Sequence, residues 1–239
     1  MAGAKKRLVW VGGGLLLVVA AFVVVYFTFF RGDNKAPVSL STTDSPKGSA
    51  GSEASVGDPA GTWQVVKGDN TFAGYRVREK LAKFPAQTDA VGQTHDVIGS
   101  MKVQRTAEGY TISGLQMEAN LQTLKSNEKK RDQKIRTIGL QTDQYPKATF
   151  VAAGPVSVPA AALAGPEMKM DLQGDLTVHG VTKRVTIPVQ AKVAGDQIEV
   201  VGSLTFPMSD FSIEPPSIPP FVQVEPQGTM EFKVRLVKT

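Results

Sequence analysis

The sequence of 239 residues contains no cysteine and only two histidines, His95 and His179. Without cysteine, the chain forms no disulfide, no thiolate metal site and no thiol nucleophile. The two histidines are far apart in sequence, and neither belongs to an HExxH spacing that would place two ligands on one helix face. We therefore expect no metal site, and an exported domain of this composition would be held together by its core alone.

Catalytic motifs are also missing. The chain has no GxSxG nucleophile elbow in its main domain and no glycine-rich phosphate loop following a strand. Arg131 and Asp132 are adjacent on a predicted helix, where such residues usually form ion pairs or caps rather than an active site. His179 falls in a predicted turn, which favours a hydrogen-bonding role there. We expect a protein that is not an enzyme and has no cofactor.

The charge is too small to indicate nucleic-acid binding. Of the formal net charge of +5, residues 1–31 carry +4 and residues 32–60 carry −2, which leaves +3 for residues 61–239. No basic stripe with interleaved aromatic residues appears. The densest basic run, residues 125–136, is either a solvated helix face or a surface that contacts anionic lipid headgroups.

Residues 8–30 contain no charged side chain and are long enough to cross a membrane. As a helix they would extend about 35 Å, against about 30 Å for the hydrocarbon core. A signal peptide has a shorter apolar region and a small-residue cleavage site, whereas this stretch ends in Tyr-Phe-Thr-Phe-Phe. Lys-Lys-Arg at residues 5–7 places the N-terminus in the cytoplasm. We predict a single-pass membrane anchor over 1–31, with the rest of the chain extracytoplasmic.

Composition divides the remainder in two. Residues 32–60 are rich in Ser, Gly, Pro, Asp and Ala and are predicted to be a flexible linker with a root-mean-square span of about 30 Å. Residues 61–239 are long enough for a single domain with a substantial core.

The clearest pattern in this domain is a period of two. Residues 168–178 alternate between apolar and polar side chains, and the alternation resumes over 184–193 after His179-Gly180. Two alternating runs around a glycine turn predict an antiparallel hairpin with one apolar face. The same test predicts further strands at 63–67, 71–81, 95–105, 109–121, 148–153, 197–206 and 229–237. One helix is predicted over 126–138, capped by Ser126-Asn127.

Eight or nine strands with one helix predict a mainly β fold, an antiparallel eight-stranded barrel, which removes exposed sheet edges and holds one small ligand. The proline-rich run 214–221 is predicted to be a stiff loop, with the rim of the barrel as its candidate position, or else a polyproline ligand motif. Predicted inward-facing positions include several methionines, which suit a flexible chain ligand as well as a loosely packed core. We select the following as candidate ligand-binding residues of the lumen: Tyr75, Val77, Met101, Val103, Leu115, Met117, Phe150, Met168, Met170, Leu172, Leu176, Ile187, Val200, Leu204, Phe206, Phe232 and Val234.

Several ordered motifs resemble one family. They are Gly61-Thr-Trp63, Phe72-Ala-Gly-Tyr75-Arg-Val77, Leu121-Gln-Thr123, Arg131-Asp132, Ile135-Arg136, Tyr145-Pro146-Lys-Ala-Thr149-Phe150, Gly174-Asp-Leu176-Thr-Val-His179-Gly180-Val181-Thr182, Ser209-Asp-Phe211 and Thr229-Met-Glu-Phe232. Together they resemble the YceI-like family of polyisoprenoid-binding, lipocalin-like barrels of bacterial envelopes. The run 75–79 is similar to an actinobacterial variant, and the predicted anchor departs from the free periplasmic members.

The resemblance implies that a long isoprenoid chain, of the quinone or polyprenyl type, binds inside the barrel for carriage, storage or sensing. The alternative is a structural or interaction module of the cell envelope with a filled barrel, whose basic helix or proline loop meets a partner. A lipid hydrolase or isomerase is a third hypothesis, which no visible nucleophile–base pair supports. An internal cavity would distinguish the first hypothesis from the second.

Overall fold

The computed structural model describes residues 35–41, 58–81, 87–163, 167–217, 219–220 and 222–239. Short helical turns of the 3₁₀ type occupy Leu121–Thr123, Ala160–Leu163 and Met208–Phe211, and helix α1 (Lys129–Lys134) continues into a π-helical turn at Ile135–Gly139. The described strands are β1 (Gly61–Val65), β2 (Phe72–Leu81), β3 (Gln87–Thr94), β4 (Val97–Arg105), β5 (Gly109–Asn120), β6 (Lys147–Ala152), β7 (Val156–Pro159), β8 (Met168–Val178), β9 (Val181–Ala194), β10 (Gln197–Pro207) and β11 (Val222–Lys238).

Eight of these strands form a closed ring of antiparallel pairs, which confirms the predicted mainly β, eight-stranded barrel with one helix. The ring runs β1-β4-β5-β6-β8-β9-β10-β11 and returns to β1. Strand β11 closes it in an unusual way. Its C-terminal end pairs with β1, whereas its residues 222–233 pair with β2, which in turn pairs with β3. Strands β1 and β2 therefore lie one after the other along the same edge of β11.

The hairpin of β8 and β9 has the form that the alternation predicts. Val178 pairs with Val181, so the connection is the two residues His179 and Gly180, whose φ angles are +52° and +73°. Two positive φ angles are typical of the type I′ turn, which matches the twist of the flanking strands. The apolar positions face the barrel interior, where Leu176 and Ile187 are both 2% exposed.

Two hydrophobic clusters form the core of the barrel. Trp63 lies in one of them at 1% exposure, and its indole Nε1 donates to the Pro59 carbonyl oxygen at 2.8 Å. Phe211, also 1% exposed, lies in the other, with its ring edge-to-face against Phe206. Leu115, Met170 and Val200 pack against both clusters. The core is therefore continuous around the barrel wall.

Two strands are absent from the sequence prediction. Strand β3 contains only Ala90 and Val91 as apolar residues, and because they are adjacent they show no period of two. Strand β7 has only four residues, of which the last is Pro159, and it pairs with the first part of β5. The last strand begins at Val222 rather than at 229, since a register shift between Val224 and Gly228 interrupts its alternation.

The helix prediction also needs correction. Instead of one α-helix over 126–138, the α-helical part is six residues long and a wider π-turn follows it. Ser126 and Asn127 do not cap it, because Glu128 is the N-cap and its carboxylate accepts from the Lys130 backbone N–H at 3.1 Å. The Ser126 N–H and hydroxyl donate to Asp132 Oδ1 instead.

Residues 35–41, part of the predicted linker, run across the outer wall of the barrel. Arg76 on β2 donates to the carbonyl oxygens of Lys35 and Ala36, and Lys233 on β11 donates to the Ser41 hydroxyl at 2.8 Å. Arg76 also pairs with Glu231, whose carboxylate raises the pKa of the arginine. The outer wall is therefore covered along this line of charged residues.

The predicted anchor, residues 8–30, lies outside the described residues. Among the residues that the structure does describe, no helix combines the length and the apolar character needed to span a membrane.

Candidate functional site

The barrel interior contains a cavity of about 190 Å³ with an almost wholly apolar lining. A second cavity of about 70 Å³ lies beside it, also apolar, and Met101, Leu115 and Leu172 line both. The alternation of the strands produces this lining, since every second side chain of an antiparallel barrel faces inward. The space suits an apolar ligand and excludes a site for polar chemistry along most of its length.

The structure places sixteen of the seventeen candidate residues on one of these cavities. Leu204 lines neither; it pairs with Met230 across the sheet and packs against a hydrophobic cluster at the wall. That these side chains contact a ligand stays a prediction. Those on the larger cavity are Tyr75, Val77, Met101, Leu115, Met117, Phe150, Leu172, Leu176, Ile187, Val200, Phe206, Phe232 and Val234, and those on the smaller one alone are Val103, Met168 and Met170.

Sequence reasoning missed the part of the lining that comes from outside the strands. The segment between β5 and β6, residues 121–146, contributes Leu121, Leu124 and Ile135. Pro216, from the proline-rich run, lines the cavity near Gly139. A signal for the residues of this segment was present, because apolar residues that recur in an otherwise charged segment favour one face packed against an apolar surface. The described part of the proline run forms no strand, and Pro216 places it at the rim.

The segment 121–140 covers one end of the barrel and is attached to β3. Gln93 and Lys125 exchange two backbone hydrogen bonds, with N–O distances of 2.9 and 3.0 Å. The hydroxyls of Thr94 and Thr123 are also hydrogen-bonded to each other. Because β3 is held to β2 along its length, these bonds fix the segment over the cavity.

One ion pair lies among the residues that line the cavity. Arg131 on α1 donates from Nε and Nη2 to the two carboxylate oxygens of Glu79 on β2, at 3.2 and 3.1 Å. Its Nη1 donates to Asn127 Oδ1 at 2.7 Å. The two charged side chains are only 14% and 13% exposed. This bidentate ion pair joins segment 121–140, the covering segment, to strand β2 of the barrel wall. It is the structural role that the sequence predicts for Arg131.

The histidines lie away from the cavity lining. In the turn between β8 and β9, His179 Nδ1 lies 3.1 Å from the Phe211 carbonyl oxygen, and the ring meets Tyr145 edge-to-face at 4.5 Å. This is the predicted hydrogen-bonding role. His95 Nδ1 lies 2.9 Å from the Thr71 carbonyl oxygen. Within the described ranges, no group of three or more His, Cys, Asp or Glu side chains is placed to hold a metal ion.

The basic run is exposed to solvent. Lys125, Lys129, Lys130, Lys134 and Arg136 all have exposed side chains. Arg136 Nε lies 3.8 Å from Asp143 Oδ1. This exposure agrees with a solvated helix face and leaves the lysines outside the apolar lining.

Comparison with known proteins points to one family. The model of the YceI-like domain matches residues 63–236. A polyisoprenoid binding domain from Saccharophagus degradans, implicated in plant cell wall breakdown, is 15% identical with a TM-score of 0.54, covering 74% of this chain and 98% of that chain. BcnA of Burkholderia cenocepacia is 17% identical (TM-score 0.46, 68% and 95% covered), and a YceI protein of Campylobacter jejuni is 14% identical (TM-score 0.45, 62% and 84% covered). No curated protein matches the sequence.

Proposed function

Because the chain belongs to the YceI-like domain family, we propose that its barrel binds a long-chain isoprenoid lipid, of the quinone or polyprenyl type, in its apolar interior. The observation that carries the proposal is the cavity of about 190 Å³, almost wholly apolar, inside a barrel of the same fold as the Saccharophagus domain. Binding for carriage, storage or sensing follows from this, without catalysis.

The size of the cavity indicates how the ligand would be accommodated. An apolar cavity of about 150 Å³ stays dry and binds one benzene molecule, so 190 Å³ corresponds to roughly one or two isoprene units. A longer tail therefore has to displace side chains of the lining. Met101, Met117 and Met230 line this cavity, and unbranched methionine side chains change shape at low cost. The methionine-rich lining supports a flexible ligand.

The source of the lipid limits the affinity. Sheltering about 40 tail carbons from water at about 0.8 kcal/mol each would exceed any observed affinity. A tail that comes from a bilayer is already sheltered, so the net gain on entering the barrel is small. Reversible exchange with a membrane is therefore the mode of action that we propose.

We also propose that residues 8–30 anchor the protein in the cell membrane, with the N-terminus in the cytoplasm and the barrel outside. The uncharged run and the preceding Lys-Lys-Arg support this arrangement. An anchored barrel stays close to the bilayer from which its ligand comes.

A filled barrel acting as an interaction module is the competing function, and the cavity counts against a completely filled interior. The experiment is to purify the full chain in a mild detergent and analyse an organic extract by mass spectrometry. We expect a co-purifying isoprenoid lipid. If the extract contains none, and neither an added quinone nor an added polyprenyl phosphate binds, the lipid-binding function is wrong.

A further inference from the structure

The charges around the larger cavity are balanced. Among the described residues that line it, three are charged: Glu79, Glu118 and Arg131. Glu118 lies between the inward-facing Met117 and Ala119, so its side chain is on the outer face, where it pairs with Lys147 at 2.9 Å. Glu79 and Arg131 pair with each other at the covering segment. The described part of the lining therefore offers no uncompensated positive charge.

Among the described residues that line the cavity, Arg131 is the one cation, and its charge is already neutralised by Glu79. Both oxygens of Glu79 accept from it, and Asn127 accepts a third hydrogen bond. The pair is more than four-fifths buried, where charges interact strongly and where an added charge is costly. A phosphate or diphosphate group would have to displace the Glu79 carboxylate or remain beside it unneutralised.

The exposed lysines of the basic run do not change this balance. Lys129, Lys130 and Lys134 are in water and are not among the residues lining the cavity. A headgroup that reaches them has left the apolar interior and is screened by solvent and salt. By contrast, a carbonyl or hydroxyl headgroup needs no countercharge and can lie beside the Glu79–Arg131 pair with both charges still matched.

We propose, resting on the isoprenoid-binding function above, that the barrel selects isoprenoids with an uncharged oxygen-bearing head, a quinone or an alcohol, over isoprenoid phosphates and diphosphates. Glu79 is the residue that determines this selectivity, because its carboxylate neutralises Arg131. Removing the carboxylate charge releases an arginine that an anionic head can then satisfy.

The test compares two probes with the same 20-carbon tail, geranylgeraniol and geranylgeranyl diphosphate. Binding of each to the detergent-solubilised full chain is measured by native mass spectrometry. Wild type should favour the alcohol. Glu79→Gln should shift the ratio of the two affinities toward the diphosphate by about tenfold or more. A factor of ten corresponds to about 1.4 kcal/mol, which is the order of the cost of leaving a buried charged group unsatisfied. Partitioning of each probe into detergent micelles is the same for all variants, so it cancels when the affinity ratios of the variants are compared.

The matched control is Asp175→Asn. Asp175 pairs with Arg184 at 2.8 Å, both more than 40% exposed on the outer wall, so the substitution also removes a carboxylate and releases an arginine. It should leave the ratio within about twofold of wild type, because exposed ion pairs contribute little. Folding of each variant is checked by circular dichroism. If Glu79→Gln does not fold, Glu79→Gln combined with Arg131→Gln replaces it, and this variant should retain the alcohol and still reject the diphosphate.

The outcomes separate the two proposals. A wild-type protein that binds the diphosphate as well as the alcohol, or a ratio that Glu79→Gln leaves unchanged, overturns the selectivity while isoprenoid binding stands. Gain of diphosphate binding by the double variant would also overturn the selectivity, while isoprenoid binding stands. Failure of both probes to bind wild type overturns the isoprenoid-binding function itself.

Discussion

Glu199 on β10 is joined to Ser41 by two hydrogen bonds, although 158 positions separate them in the sequence. The Ser41 backbone N–H donates to Oε1 and its hydroxyl donates to Oε2, and Lys233 adds an ion pair at 3.3 Å. These contacts hold residues 35–41 against the outer face of β10 and β11. A segment with the composition of a linker thus takes part in the structure of the barrel.

The Ser41–Glu199 contact should make stability depend on acid. Burial by itself raises the pKa of the Glu199 carboxyl, but the Ser41 N–H and hydroxyl and the Lys233 ammonium together lower it below the usual 4.5. A lowered pKa means that the stabilisation is present above the unfolded-state pKa and is lost as the pH falls through the native one. The free energy of unfolding, measured by urea denaturation of the full chain, should therefore decrease as the pH falls below the ordinary value of 4.5.

Glu199→Gln tests whether the Glu199 carboxylate causes this acid sensitivity. The variant should be less stable than wild type near neutral pH and should lose less stability on acidification. Asp171→Asn, which removes an exposed carboxylate on β8, is the control and should lose as much stability on acidification as wild type does. Equal acid sensitivity of wild type and Glu199→Gln would contradict the role given to this carboxylate.

Leu172→Arg should abolish lipid co-purification. Leu172 is 7% exposed and lines both cavities, and an unpaired charge placed there costs several kcal/mol and attracts water. Mass spectrometry of the organic extract gives the result, and circular dichroism checks folding. Met170→Arg, at the smaller cavity, provides a second site. Lys169→Arg is the matched control, since Lys169 lies on the outer face with a side chain 69% exposed; loss of lipid there too would show that the lumen is not responsible.

Gly180→Ala should destabilise the barrel by about 2–4 kcal/mol. Gly180 has φ +73°, and an added Cβ would meet Tyr145 Cε1 at 2.7 Å, so backbone strain and a clash combine. Gly195→Ala is the matched comparison. Gly195 has φ +58° but no atom within 4 Å of the added Cβ, so only the strain of about 1–2 kcal/mol remains. Chemical denaturation of both variants measures the difference, and equal losses would show that the contact with Tyr145 is unimportant.

The topology can be tested with single cysteines, because the natural sequence has none. Cysteine replacing Lys169, an exposed position on β8, should react with a membrane-impermeant thiol reagent in intact cells. Cysteine replacing Ala2 should react only after the cells are permeabilised, since residues 5–7 favour the cytoplasmic side. The reverse labelling pattern would contradict the proposed orientation, and a mature protein that lacks its N-terminal segment would show a cleaved signal peptide.

The sequence predicts the parts of the fold whose side chains alternate without interruption. Strand β8 is predicted to the residue because one face, from Met168 to Val178, contacts the interior along its whole length. Strand β3 could not be found in this way, because its buried residues include Thr94 and Gly92, which carry no hydrophobic signal. Their burial comes from the covering segment and from the neighbouring Tyr75 ring.

The residues of the site also divide into those that alternation predicts and those that it does not. Lining residues on strands follow from alternation, whereas Ile135 and Pro216 reach the cavity through tertiary placement of a π-turn and a loop. The Glu79–Arg131 pair could not be predicted from residue spacing either, since 52 positions separate its members. Sequence reasoning identified Arg131 as structural and had no means of naming its partner.

The pairing of β11 has a consequence for how the protein is made. Every other described strand is synthesised before it, yet β10, β1 and β2 all depend on it for a neighbour. Until Val222–Lys238 has been translated, those strands expose unpaired backbone edges, the kind of surface on which chains aggregate. Ring closure is therefore a late event in biosynthesis, and the strands made earlier can complete the barrel only after β11 has been added.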